Sequence, residues 1–267
     1  MKRWEKIGQM LKEKDVDGIL IHSPINRFYL SGFYGTEGYL WISRGGKGWL
    51  DVDFRYEERA RRTLAEGIAL RSTRFSAQLQ KEVMEALKEE NVSRVGFESH
   101  LVTVAEWERW KEALPGIEFV GLEPLVESLR VVKDKEELVN IQLACGVVES
   151  AVQWLLRNLR EGISERELAQ ELEYQMKKKG AERLAFEPIV LFGSNTEMPH
   201  GTPSERKLQN GDAVTIDVGA VVNGYHSDVT RSFVFGKADE EYRRCWEWVK
   251  QSKLRAQEAV KEQILAK

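Results

Sequence analysis

Residues 213–235 read AVTIDVGAVVNGYHSDVTRSFVF, and the interpretation of the whole chain turns on them. Two runs rich in β-branched and aromatic residues flank Asn223-Gly224, a dipeptide that favours a two-residue hairpin turn because both of its positions must adopt positive φ. A turn there sets the register: Val222 faces Tyr225, Asp217 falls opposite Thr230, and Gly219 falls opposite Asp228. Residues two apart on a strand share a face, so Asp217 and Asp228 become diagonal neighbours, with side chains within roughly 7–8 Å of each other. Each lies inside an apolar strand, where an unpaired carboxylate is costly, and the two repel unless a cation sits between them. A pair of divalent metal ions, chelated by one Asp and bridged by the other, is the expected occupant.

The histidines sort around this hairpin. His200 stands in the preceding loop, in Met198-Pro199-His200-Gly201. His226 has the parity of Asp228 and is expected on the carboxylate face. His200, His226 and Asp228 could be drawn as the facial triad of a non-haem iron site, but that leaves Asp217 without a role. His22 and His100 lie far upstream and read as structural.

Working outward, FEPIVLFG (186–193) is a strand candidate and SNTEMPHGTPSERKLQNG (194–211) a polar loop. Ser164 with Glu167 forms a capping-box pair that opens a helix ending near Gly180. Before it, apolar residues at helical spacing from Leu138 to Leu159 predict a helix over about 133–159, with Cys145 a small buried residue on its inner face. Asp239 opens a last helical pattern over about 240–266, whose glutamates (Glu240, Glu241, Glu247, Glu258 and Glu262) read as solvent-facing charges. Upstream, GILIH, YLWIS, GWLDV, RVGFE and IEFVG are strand candidates alternating with helical patterns at 54–66 and 77–90. Alternation of that kind predicts an α/β unit with a partly parallel sheet. The change of texture near 122–132 sets a domain boundary, giving domains of 1–125 and 126–267.

Composition excludes other classes. Forty Lys+Arg against 43 Asp+Glu give a net charge of −3, no basis for a nucleic-acid surface. No apolar run approaches the ~20 residues of a membrane span. The opening MKRWEKIGQMLKEKDVDG is an amphipathic, acid-bearing helix pattern, unlike a signal or transit peptide. Two isolated cysteines, Cys145 and Cys245, fit a reducing cytoplasm.

The run PHGTPSERKLQNGDAVTIDVGAVVNGYHSDVTRSFVFG (199–236) resembles the signature of the pita-bread metallopeptidases, in particular their Xaa-Pro branch of prolidases and aminopeptidases P. A Pro-His pair, a Gly-Asp turn, Asp-x-Gly and Gly-Tyr-x-Ser-Asp-x-Thr-Arg follow in the family order. NRFYLSGFYGTEGYLWIS (26–43) and WLDVDFRYEERA (49–60) are similar to the creatinase-like N-terminal domain of that branch, and SLRVVKDKEEL (128–138) to its linker. The resemblance implies an α/β creatinase-like domain followed by an α+β pita-bread domain. It implies hydrolysis of the peptide bond preceding proline, assisted by two divalent ions (Mn, Co or Zn). Asp217 would be the chelating ligand, Asp228 the bridging one, and His200 the histidine that steadies the substrate carbonyl. Tyr225 and Thr230 would stand behind the ligands, and His226 becomes a neighbour. A homodimer is implied, with a proline-containing peptide as substrate.

The same family uses five metal ligands: two Asp, one His and two Glu. Beyond Asp228 the chain has no histidine matching the later motif and no glutamate-bearing strands. It reads as the first half of the catalytic domain, and by itself is expected to be inactive. The alternatives are a non-catalytic pita-bread binding module and a metal-free creatinase-type hydrolase using His200. The retained aspartate pair argues against both.

Overall fold

A computed structural model describes residues 2–122 and 124–262. The chain separates into two compact units, Met1–Val132 and Lys133–Lys267.

The first unit runs α1 (Arg3–Leu11), β1 (Gly18–Ile21), α2 (Pro24–Ser31), β2 (Tyr39–Ser43), β3 (Gly48–Asp53), α3 (Glu57–Thr63), β4 (Ile68–Thr73), α4 (Leu79–Glu89), β5 (Arg94–Phe97), α5 (Val104–Ala113), β6 (Glu118–Gly121) and α6 (Leu125–Arg130). Its sheet has the order β4-β3-β2-β1-β5-β6. β2 pairs antiparallel with both β1 and β3, while β3–β4, β1–β5 and β5–β6 are parallel. The central strands are apolar along their whole length because helices cover both faces. Ile19 and Ile21 of β1 pack with α1, α2 and α6 in one cluster. Leu20, between them, packs on the opposite face with α4 and with Trp110 of α5.

Four elements of this unit escape the sequence reading. β4, IALRST, is an edge strand buried only at its two ends, so it shows no alternation. Helix α2 opens on Ser23 with Pro24 as its first residue, and α5 opens on a Thr103/Glu106 capping box. Both carry start signals. The last, α6, is only six residues long and has no side-chain cap bond.

Asp17 joins the starts of β1 and β5. Its Oδ2 accepts from the Ser93 amide (2.8 Å), the Ser93 hydroxyl (3.1 Å) and the Arg94 amide (2.9 Å). Donation from the Arg94 amide, then from the Ser93 amide, holds this carboxyl below its ordinary value of 3.8. A carboxyl whose pKa falls on folding contributes stability above its unfolded pKa and loses it as pH drops through the folded one. Asp17→Asn is therefore expected to cost about 1–2 kcal/mol in urea unfolding near pH 6. The gap from the parent should close as pH falls below 3.8. An unchanging gap down to pH ~2 would show that the charge is not the cause.

The second unit runs α7 (Lys135–Asn158), α8 (Glu165–Lys178), β7 (Arg183–Leu184), β8 (Ile189–Phe192), β9 (Ala213–Val218), β10 (Ala220–Val222), β11 (Tyr225–His226), β12 (Val229–Val234) and α9 (Glu240–Ala259). Capping boxes open both α7 (Asp134/Glu137) and α8 (Ser164/Glu167). Two three-stranded sheets form, β11-β10-β7 and β12-β9-β8. Val148, Ala151, Val152 and Leu155 of α7 meet Leu168, Leu172 and Met176 of α8 over Val190, Val214, Ile216 and Val218. Cys145 is half-buried rather than buried.

Against the sequence expectation, α7 is by length and composition apolar enough to cross a membrane. Here it serves as the central helix of this core, although Leu138, Val139, Leu143 and Leu156 are exposed. The last helix stops at Ala259; the predicted extension to 266 falls partly on residues outside those described. Glu240, Glu241, Glu247, Glu258 and Glu262 are all exposed.

Candidate active site

Asn223 and Gly224 adopt φ of 49° and 76°, the two left-handed positions the turn requires. Register then follows as the turn dictates. Val222 pairs with Tyr225 and Val221 with His226, and further along Val229 pairs with Val218 and Thr230 with Asp217. The hairpin does not stay in one sheet. Its tip, β10–β11, joins β7, whereas its base, β9–β12, joins β8.

The transfer happens at Gly219 and Ser227. The Ser227 amide donates to Ala220 O (3.0 Å), and the Ala220 amide donates to Ser227 Oγ (3.1 Å). A Cβ on Gly219 would lie 2.2 Å from Ser227 O and 2.7 Å from the Phe186 ring. Gly219→Ala must therefore push the backbone next to Asp228, with an expected cost of about 2–3 kcal/mol. Thermal unfolding measures it, and a loss below ~0.5 kcal/mol would mean the strands separate freely at this point.

β9 shows how the site faces. Val214, Ile216 and Val218 are buried in the core, while Thr215 and Asp217 occupy the other face. On that face Thr230 Oγ1 donates to Asp217 Oδ1 (2.9 Å), and the Thr215 and Ser232 hydroxyls meet at 3.4 Å. Asp217 is half-buried and Asp228 exposed. The apolar flanks Ile216 and Val218 belong to the opposite face, while Asp217 shares its own with Thr215, Thr230 and Ser232 and with Ile189 and Leu191 of β8. On this mixed face Thr230 orients one carboxylate.

Tyr225 is held elsewhere: its hydroxyl donates to Glu137 Oε1 (3.2 Å), and Asn223 Nδ2 donates to Asn140 Oδ1 (2.9 Å), tying the turn to α7. His226 Nε2 lies 3.5 Å from Arg183 Nη2. Burial, then the charge of Arg183, lowers the pKa of His226 and favours its neutral form.

His200 is exposed, on the loop between β8 and β9. That loop folds back over the face that carries Asp217. Leu191 of β8 pairs with Thr215 and so belongs to the same face as Asp217. It is nevertheless only 1 % exposed, and a Cβ on Gly201 would lie 2.8 Å from its Cδ1. The residue after His200 thus rests on the sheet that carries Asp217. At the base of the loop, Arg206 grips Asp212 through two bonds of 2.8 and 2.9 Å, and the Gln209 amide donates to Asp212 at 2.9 Å. Burial alone would raise the pKa of Asp212; the bonds from Arg206 and Gln209 outweigh it and leave it lowered. The sequence reading also passed over Glu165, which is fully buried under this loop. Placed directly after the capping Ser164, it resembles any first-turn acid.

Carboxylate oxygens suit hard or borderline divalent cations in kind. In number they fall short. Among the described residues no group of three or more His, Cys, Asp or Glu could hold a metal ion. The residues present therefore do not fit a complete two-metal centre.

Comparison with known proteins bears on both units. Residues 3–132 match the creatinase/prolidase N-terminal domain, and residues 139–267 match metallopeptidase family M24. The Xaa-Pro dipeptidase of Pyrococcus furiosus is 35 % identical over the whole of this chain, which covers 74 % of that relative. The structure of an Xaa-Pro dipeptidase from Bacillus anthracis superposes with a TM-score of 0.88 at 33 % identity, covering 95 % of this chain and 70 % of that one. An X-Pro aminopeptidase from Thermotoga maritima gives 0.81 at 28 % identity, over 91 % and 68 %. Two family matches side by side, and identity at this level along the full length, show that the chain belongs to the M24 metallopeptidases with a creatinase/prolidase N-terminal domain, α/β unit first and pita-bread unit second.

Proposed function

We propose that the protein serves hydrolysis of the peptide bond before proline, in Xaa-Pro dipeptides rather than longer peptides, and that Asp217 and Asp228 are two ligands of a divalent metal centre (two ions of the Mn, Co or Zn type). The observation carrying this reading is the Asp217–Thr230 pair, fixed in register by the Asn223-Gly224 turn with Asp228 two residues away. The two dipeptidase relatives of 33–35 % identity favour the dipeptide over the longer substrate. In this reading His200 donates a hydrogen bond to the substrate carbonyl as negative charge gathers on it, and Thr230 keeps Asp217 in one orientation. Tyr225 acts at a distance, by anchoring the hairpin to α7.

The donor set is incomplete in these residues, so the 267-residue chain alone is expected to show no turnover. Its two free thiols, Cys145 and Cys245, fit a cytoplasmic setting, and a homodimer is the expected assembly. A second reading, a binding module without chemistry, draws on the same lack of a third ligand among the described residues. Metal titration with an Xaa-Pro hydrolysis assay separates the two.

A further inference from the structure

The loop that carries His200 is fastened at both ends by one carboxylate. Glu165, the first residue of α8, is 0 % exposed. Its Oε1 accepts from the Phe192 amide (2.7 Å) and from Asn195 Nδ2 (3.0 Å), at the point where the chain leaves β8. Its Oε2 accepts from the Ser204 amide (2.9 Å) and the Ser204 hydroxyl (2.6 Å), where the chain returns. Asn195 Nδ2 also reaches Oε2 (3.2 Å) and Ser204 Oγ (3.3 Å), joining the two limbs directly. Beyond Ser204 the returning strand continues along the start of α8: the Arg166 amide donates to Ser204 O and the Glu165 amide to Arg206 O, both at 3.1 Å. Between the two anchors, residues 196–203 have no buried side chain, and His200 sits in the middle of them.

The chemistry of this arrangement is specific. An ionised carboxylate has no proton to donate and about four acceptor directions, which suits a place where every neighbour is a donor. Two backbone amides, a side-chain amide and a hydroxyl converge on Glu165, and bonds to a charged acceptor are roughly twice as strong as neutral ones. A helix start is also favourable ground for a negative charge. Capping α8 would not need this residue, since Ser164 and Glu167 already form the capping box. A buried carboxylate that contributes nothing to the cap and touches both feet of one exposed loop has that loop as its purpose.

We infer that Glu165 is the positioning residue for His200: its carboxylate fixes the loop 192–204 against the face of β8 and β9 that carries Asp217, and so holds the imidazole where substrate is met. The inference rests on the assignment of His200 to the substrate carbonyl.

Glu165→Gln tests it on the 267-residue chain without any turnover. Glutamine keeps the shape but presents an N–H to at least one of the donors, breaking one foot of the loop. Segment-resolved hydrogen exchange is expected to accelerate about tenfold or more within residues 193–204, while β9 and β12 stay within about twofold of the parent. In ¹³C-histidine-labelled protein, the His200 signal, identified by its loss in His200→Ala, should move towards that of a free histidine. Should Glu165→Gln fail to fold, Asn195→Ala removes the link between the limbs more mildly and should give the same local pattern. Unchanged exchange and an unmoved His200 signal in the folded variant would overturn the inference. Acceleration spread evenly over the second unit would also overturn it, by reducing Glu165 to general support. Neither result depends on peptidase activity, so a failure of the hydrolase reading leaves a different trace.

Discussion

Fused to the part of the Pyrococcus furiosus dipeptidase that has no counterpart in them, these 267 residues are expected to hydrolyse an Xaa-Pro dipeptide with Mn²⁺ or Co²⁺ present; alone they are expected to turn over none. The reason is the donor count. Asp217 is oriented by register and by the Thr230 bond, and Asp228 stands between β11 and β12, but no third metal-binding group joins them among the described residues. Two carboxylates bind a divalent ion weakly and leave its geometry open. This chain covers 74 % of that relative, and the fusion tests whether the remainder supplies the further donors. In the active fusion, Asp217→Asn and Asp228→Asn are each expected to lower kcat/KM at least ~10³-fold, about 4 kcal/mol of transition-state stabilisation. His200→Ala should cost about 10²-fold, the scale of one donor to a developing oxyanion. Thr230→Val, which only frees Asp217 to rotate, should cost about tenfold. Metal titration of the unfused chain should show weak binding that Asp217→Asn abolishes. Turnover by the unfused chain would overturn the donor count and return attention to His226 and the helix glutamates. Silence in both forms, with no metal bound, would favour the binding module.

The register of the candidate site is legible in the sequence because a turn dipeptide acts at long range. Asn223-Gly224 fixes pairing as far away as Ala213 and Val234, so the opposition of Asp217 and Thr230 follows from counting. Counting fails where physics depends on what lies across the chain. Apolar flanks suggest desolvated aspartates, but alternation places Val214, Ile216 and Val218 on the other face, and what surrounds Asp217 on its own face, Thr230 on one side and Ile189 on the other, is set by the strands that pair with β9. The division of one hairpin between two sheets is invisible in the pattern, since it depends on which distant strands, β7 or β8, arrive to pair. The same applies to Glu165 and Tyr225. Their partners lie 27–39 residues away for Glu165 and 88 residues away for Tyr225, and nothing local distinguishes them from solvent-facing neighbours.

Arg27 is the strongest such case, and its removal is expected to unfold the first unit's loop structure at a cost of about 3–5 kcal/mol. Nothing in NRFYLSGF marks it for burial, yet it is 0 % exposed. Its guanidinium donates to the carbonyls of His22, Gly35 and Gly38, binding the end of β1 to the loop before β2, and it lies 5.6 Å from the Phe33 ring. Burial lowers its pKa to about 10, with Glu37 and Glu98 opposing the shift, so it remains charged at neutral pH. A planar fork of donors is what three converging carbonyls need, and no other side chain supplies it. Arg27→Met fills similar space without leaving a charge behind, so its cost isolates the three carbonyls left without a donor. Arg27→Lys retains the charge but not the fork, and should recover less than half of the loss. Urea unfolding followed by tryptophan emission is weighted towards this unit, which holds five of the eight tryptophans, with Trp4, Trp41, Trp49 and Trp110 buried in it. A shift below ~1 kcal/mol for Arg27→Met would mean that water replaces the guanidinium at those carbonyls. A full recovery by Arg27→Lys would mean that charge alone, without the geometry of the fork, holds the loop.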